Sequence, residues 1–256
     1  MKTLIFDLDG TMYRGSSIIE SARIFLEHCQ SKQIPFVFLT NNSMRTRQEN
    51  ADHMLRMGYQ NISKDLFYNS AMASCQYVRR HYTGDKAYYI GQEGMREALL
   101  EEGFVITKND PDFVFVGLDK TADYASYSKA LEFLLNGAKL IGTNKDRILA
   151  KPEGFELGNG SIVKMFEYAI DAKSPDISKP YTPILDLCLE YFHLKKEDVI
   201  LIGDNLETDI LLGKNAGVKT VFVQTGVHTK DDIQRLHIEP DRVVEDLTDC
   251  LDFSFE

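Results

Sequence analysis

Asp7 and Asp9 stand one residue apart in "LIFDLDGT", among apolar neighbours that carboxylates rarely keep unless something pairs with them. Three other stretches also put polar side chains where an apolar run stops. They are "FLTNNS" with Thr40 and Asn41, "SKP" with Lys179, and "LIGDNLETD" with Asp204 and Asp209. Asp7, Asp9 and Asp204 offer hard oxygen ligands, and carboxylates gathered closely repel one another unless a cation or a proton intervenes. Mg2+ suits such an open site, because it takes one or two carboxylates, keeps its waters and accepts a phosphate oxygen. The Thr40 hydroxyl, the backbone N–H groups after it and the Lys179 ammonium suit the anion. Gly10, lacking Cβ, lets the backbone turn sharply and approach a ligand, and Thr11 is placed to fix that turn with its hydroxyl.

An ionised aspartate can attack phosphorus and split one slow hydrolysis into two displacements through an aspartyl phosphate. We assign that attack to Asp7. Asp9 then gives a proton to the leaving oxygen and later takes one from water, so it must hold a proton while Asp7 does not. Taken singly, each stretch has a plainer reading. "DLDGT" also fits a turn or a calcium-loop fragment, Thr40 a cap, Lys179 a solvated surface charge, and "GDNLETD" a helix start with favourable acids. Only the ordered set points to phosphoryl transfer.

The elements that must position these residues alternate between short β-rich runs and amphipathic helical stretches, the pattern of a mostly parallel sheet. "TLIFDL" leads to Ile18, Ile19, Ala22, Phe25, Leu26 and Cys29 at helical spacing, then to "PFVFLT". Thr46 and Glu49 have capping-box spacing, and Gly58 marks the end of the helix between. "LFYN" and a helix through "SAMASCQYVRR" follow, and the polar "HYTGDK" marks a first domain crossing. The middle segment has parts for its own α/β core: "AYYIG", "DFVFVGL" and "KLIGTN" alternate with helices. A loop at "KPEGFELGNG" then precedes a helix through "SIVKMFEYAI". Pro175 marks a second crossing, after which "VILIG", a helix through "TDILLGKNAG" and "KTVFV" return to the first sheet. The expected division is a core of residues 1–81 and 177–256 and an insert of residues 82–176.

The 256 residues are 43% hydrophobic and 27% charged, with a formal net charge of −10. That balance fits a globular protein and argues against a nucleic-acid surface, which needs clustered cations. No apolar run approaches the roughly 18 residues of a membrane span, so a cytoplasmic location is expected. Cys29, Cys75, Cys188 and Cys250 form no CxxC pair and read as small buried hydrophobes. A homodimer is left open.

"DLDGT", "LTNN", "SKP" and "GDNLETD", in this order, resemble the four motifs of the haloacid dehalogenase superfamily. The "TMYRG" after the first motif and the long insert are similar to its NagD-like, p-nitrophenyl phosphatase branch, with a C2-type cap. The resemblance implies a Rossmann-like doubly wound parallel-sheet α/β core with an inserted α/β cap domain over the phosphate site, and a Mg2+-dependent phosphatase. It makes Asp7 the nucleophile and Asp9 the acid/base, with the Asp9 carbonyl also on the metal. Thr40, Asn41 and Asn42 become phosphate-binding positions, Lys179 the charge-balancing lysine, and Asp204 a metal ligand. Asp209 and Asn205 become outer partners of the metal. The branch commonly has Gly where this chain has Ser178, which is expected to tune the site without abolishing it. In the cap, Asn144, Asp146, Glu156, Gly158, Asn159 and Gly160 are candidate contacts to the leaving group. A small phosphorylated metabolite, either a sugar phosphate or a nucleoside monophosphate, is the expected substrate, with p-nitrophenyl phosphate as an artificial one. The competing readings are a phosphoacceptor signalling module and a phosphomutase.

Overall fold

The computed structural model describes residues 2–151, 154–253 and 255. The chain runs through β1 (Thr3–Phe6), a small hairpin of β2 (Tyr13–Arg14) and β3 (Ser17–Ile18), α1 (Glu20–Ser31), β4 (Phe36–Thr40) and α2 (Arg47–Arg56). It continues with β5 (Phe67–Asn69), α3 (Ser70–His81), β6 (Lys86–Ile90), α4 (Glu93–Glu101), β7 (Val105–Ile106), β8 (Phe113–Val116), α5 (Tyr124–Leu135) and β9 (Lys139–Gly142). Next come β10 (Ile148–Lys151), β11 (Gly154–Leu157), α6 (Asn159–Ile170), α7 (Pro183–Tyr191) and β12 (Val199–Gly203). A π-type turn (Leu206–Ile210) continues into α8 (Leu211–Ala216), followed by β13 (Lys219–Val223), α9 (Lys230–Leu236) and β14 (Arg242–Val244).

Two compact units result. The first comprises Met1–Thr40, Arg47–Tyr68 and Lys179–Glu256; the second comprises Asn41–Thr46 and Asn69–Ser178. The periodicity placed the first crossing at 81/82, whereas the contacts group α3 with the second unit. The reason is packing. Arg79 lies over the Phe104 ring at 3.8 Å and donates from Nε to the Glu102 carbonyl at 2.9 Å, holding α3 against α4.

The first unit is built on a six-stranded sheet in the order β14-β13-β12-β1-β4-β5. The pairings β14-β13-β12-β1-β4 are parallel, with Phe6 opposite Ile202 on one side and Phe38 on the other. In chain order this is the doubly wound arrangement, and the direction of winding reverses between β1 and β12. β1 ("TLIF") and β12 ("VILIG") are buried along their whole length, as central parallel strands covered on both faces must be. α1 buries Ala22, Phe25, Leu26 and Cys29, a stripe at i, i+3, i+4 and i+7 that packs on the sheet. Phe6 meets Phe25 edge-on with ring centroids 6.1 Å apart. Burying one such ring contributes roughly 1.5–3 kcal/mol.

The second unit repeats the plan on a smaller scale with a four-stranded parallel sheet, β7-β6-β8-β9. Val114, Val116, Phe133, Leu140, Val163 and Phe166 form its core against α5 and α6. The stretch "KPEGFELGNG", expected as a loop, is instead largely strand: β10 and β11 pair antiparallel, Ile148 with Leu157 and Lys151 with Gly154. Pro152 and Glu153 lie outside the described residues. Short flanking strands and an exposed face hide such a hairpin from periodicity. All four cysteines are buried and unbridged. No helix among the described residues is long and apolar enough to cross a membrane.

Candidate active site

In open α/β sheets the crevice outside the carboxyl ends of the strands, where winding reverses, is the place for a ligand. Asp7 follows β1 there and Asp204 follows β12. The Asp7 N–H donates to the Ile202 carbonyl at 2.9 Å, which prolongs the β1–β12 ladder by one bond and fixes where the carboxylate leaves the sheet. Lys179 bridges the acids. Its Nζ donates to Asp7 Oδ1 and to Asp209 Oδ1, both at 2.7 Å, and its side chain is only 2% exposed. Asp209 is carried by the π-type turn and is also buried. The Asn205 N–H donates to Asp209 Oδ2 at 3.2 Å, while the Asn205 side chain accepts from the Glu207 N–H at 2.9 Å and starts that turn. The Pro180 carbonyl accepts from Asn215 of α8 at 2.9 Å, which holds the residue after Lys179.

Asp204 is buried and gripped on both oxygens. Oδ1 accepts from the Thr11 hydroxyl at 3.1 Å and Oδ2 from the Val227 N–H at 2.7 Å. The expectation for Thr11 is thereby redirected, since its hydroxyl reaches across to the second carboxylate. The turn itself is held by backbone, with the Gly10 N–H donating to the Tyr13 carbonyl at 2.7 Å and the Thr225 hydroxyl donating to the Gly10 carbonyl at 2.8 Å. Gly10 has φ +95°, and a Cβ there would lie 2.3 Å from Asp204 Oδ2, so any side chain would break the site from two directions at once. Asp9 stands two residues past Asp7 in the same turn and is exposed.

Thr225, Val227 and His228 were missed by sequence reasoning. His228 is buried, accepts the Leu206 N–H on Nδ1 at 3.1 Å and donates its own backbone N–H to the Asp204 carbonyl at 3.3 Å. They follow β13, so the strand-end rule that found the other residues could have found "QTGVH" as well.

Asp7, Asp204 and Asp209 present oxygens within 4.8 Å of one another, with one lysine among them. Burial is the main reason that the Asp7 carboxyl sits well above the usual range; Lys179 opposes this, while Asp209 and Asp204 reinforce it. Burial also pushes Asp204 up to about 7, with Asp209 adding to the shift and the Val227 and Thr11 hydrogen bonds resisting it. Burial disfavours the Lys179 ammonium, but Asp209 and Asp7 outweigh it and raise its pKa. Among the described residues, three clustered carboxyl groups, two of them buried and Asp7 half-buried, share the Lys179 ammonium, which leaves negative charge in excess, and hard oxygen donors at this spacing fit a divalent cation.

The other expected residues are divided between the two units. Thr40 ends β4, buried, in the first unit. Asn41 and Asn42 fall in the second. Asn41 Nδ2 donates to Asp146 Oδ1 at 3.1 Å, its carbonyl accepts from Ser70 Oγ at 2.6 Å and Asn144 Nδ2 at 2.8 Å, and the Asn42 side chain accepts from the Met44 N–H at 3.0 Å. Asn159 is buried and donates to the Val116 carbonyl at 2.9 Å, while Glu156 is exposed and paired with Lys120 at 2.5 Å. Gly158 and Gly160 pack against backbone of the Lys145–Arg147 stretch too tightly for a Cβ. Ser178 is buried and its hydroxyl has no hydrogen-bond partner.

Residues 4–105 match the family described as haloacid dehalogenase-like hydrolase, and residues 176–250 match a second described as HAD-hydrolase-like. The chain is 36% identical to an acid sugar phosphatase of Staphylococcus aureus over 252 residues, 98% of this chain and 96% of the relative. Among solved structures, NagD from Escherichia coli K-12 superposes with a TM-score of 0.89 at 32% identity, covering 100% of this chain and 99% of that one. A 4-nitrophenylphosphatase from Thermotoga maritima gives 0.91 at 31% identity, covering 99% and 97%.

Proposed function

The chain belongs to the haloacid dehalogenase-like hydrolases, as a NagD-like phosphatase, and from that premise we propose that it hydrolyses small phosphate monoesters through an aspartyl phosphate on Asp7. The observation that carries the reading is the Lys179 ammonium shared between Asp7 and Asp209 beside buried Asp204. A carboxylate that is to attack a phosphate dianion must be relieved of charge repulsion while it stays ionised. Lys179 supplies a fixed positive charge at 2.7 Å from the attacking carboxylate, and its raised pKa keeps it charged throughout the physiological range. Asp204 and Asp7, with the Asp9 carbonyl, would hold Mg2+, which supplies charge neutralisation for the carboxylates and the transferring phosphoryl group.

In the first step an Asp7 oxygen forms a bond to phosphorus, the ester P–O bond breaks, and Asp9 gives its proton to the departing alkoxide. In the second, water loses a proton to Asp9, attacks phosphorus and releases inorganic phosphate, restoring the Asp7 carboxylate. Asp9 is exposed where Asp7 is half-buried and Asp204 buried, so it can exchange protons with each leaving group and each water. Thr40 and the backbone after it serve the phosphate oxygens.

A sugar phosphate is the favoured substrate class, supported by the names of the staphylococcal relatives. The test is a panel of sugar phosphates, nucleoside monophosphates and p-nitrophenyl phosphate, with and without Mg2+. Phosphate release that requires Mg2+ and falls by about 10⁴-fold in Asp7→Asn is expected. A stable phosphoprotein without release would indicate a phosphoacceptor module, and isomerised ester without release a mutase; either result replaces the hydrolase reading.

A further inference from the structure

We propose that Asn144 is a positioning residue for the phosphate-binding peptide that follows Thr40, acting through the Asn41 carbonyl; the proposal rests on the phosphatase reading above. Residues Asn41–Thr46 belong to the inserted unit and are held by its own side chains and backbone. The Asn41 carbonyl takes two hydrogen bonds, from Asn144 Nδ2 at 2.8 Å and from Ser70 Oγ at 2.6 Å. In a planar trans peptide the C=O and the following N–H point in opposite directions. Two donors that fix the Asn41 carbonyl therefore also aim the Asn42 N–H, one of the groups assigned to the phosphate.

Asn144 is suited to this because it is itself fixed. It is buried, its Oδ1 accepts the Asp146 N–H at 3.2 Å, and Asp146 Oδ1 in turn accepts from Asn41 Nδ2 at 3.1 Å. Asn159 Nδ2 reaches the neighbouring Thr143 Oγ1 at 3.2 Å and the Asn144 carbonyl at 3.4 Å. Further along the same loop, Ser43 Oγ lies 3.1 Å from Thr143 Oγ1 and the Gly94 N–H donates to the Met44 carbonyl at 2.9 Å. Within the inserted unit, the Asn144 and Ser70 side chains thus set the direction of the Asn42 N–H.

The test uses the full chain with Mg2+ and compares Asn144→Ala, Ser70→Ala and Asp123→Ala. Asn144→Ala is expected to raise KM for p-nitrophenyl phosphate and the inhibition constant of inorganic phosphate together, by about tenfold, with a smaller change in kcat. Ser70→Ala should move the same two constants in the same direction. Asp123→Ala removes the side-chain cap of α5 in the same unit and touches neither Asn41 nor Asn144, so it should lower the melting temperature and leave both constants within twofold. The proposal is overturned if Asn144→Ala keeps both constants within twofold, or if Asp123→Ala raises them equally. A wild-type chain that turns over no ester contradicts the phosphatase reading instead. The rise in melting temperature caused by inorganic phosphate then decides the proposal without turnover: an undiminished rise in Asn144→Ala overturns it, and a lost rise supports it.

Discussion

Both units gather polar side chains at the carboxyl ends of a parallel sheet, but the two gatherings differ in kind. The larger sheet collects charge, with Asp7, Asp204 and Asp209 around Lys179. The smaller one collects neutral groups, with Thr143 and Asn144 after β9 and Asn159 at the start of α6, alongside Ser43 and Ser70. The neutral cluster lies in hydrogen bonds of ordinary length, and its members need no ion to be buried. The charged cluster holds an excess of carboxylate that only a proton or a cation can offset, and its pKa values are displaced accordingly. A strand-end crevice is thus a property of the architecture. Whether it does chemistry depends on whether its buried charges balance.

The sharpest way to break the contrast is to remove the lysine. Lys179→Met should lower turnover by about 10³-fold. It should also cost about 3–5 kcal/mol of stability at pH 8, measured by denaturant unfolding, because the acids lose the ammonium that bridges them. At pH 5 the stability loss should shrink, since protonated acids need no partner.

A second effect follows from Asp204, whose pKa is raised to about 7 from the ordinary carboxylate range. Between that range and 7 the folded chain holds a proton that the unfolded chain does not. Its contribution to stability is therefore full at low pH and lost as pH rises through 7. The metal-stripped protein should melt at a lower temperature at pH 8 than at pH 5. Adding Mg2+ should restore it at pH 8 and do little at pH 5, with Mg2+ affinity falling by roughly tenfold between pH 8 and pH 6. The neutral cluster should show the smallest effect. Asn159→Ala should destabilise by about 1–3 kcal/mol, with no dependence on metal.

The placing of Asp7, Thr40 and Asp204 at strand ends was legible in the sequence because each sits at the end of a hydrophobic run long enough to declare a strand. "LIFD", "VFLT" and "LIGD" announce both an element and its end. The cap residues were legible as polar positions, but their partners were not. Asn144 and Asp146 reach Asn41 across about a hundred residues, and Asn159 turns into the core, so their bonds depend on how strands are ordered. The β10–β11 hairpin was hidden for the opposite reason: Ile148, Phe155 and Leu157 are exposed, and an exposed two-stranded ribbon carries no burial pattern. Ser178 was noticed as a departure, and it proves to be a buried hydroxyl without a hydrogen-bond partner beside the bridging lysine.

The central claim is that Asp7 takes the phosphoryl group. The direct measurement is rapid acid quenching of the Mg2+-loaded Asp9→Asn variant with p-nitrophenyl phosphate, followed by mass analysis of its peptides. That variant should release p-nitrophenol slowly and hydrolyse the intermediate more slowly still, so the peptide containing Asp7 should carry one hydroxylamine-labile phosphoryl group. A phosphoryl group on any other residue, or steady phosphate release with no labelled peptide at any quench time, would contradict it.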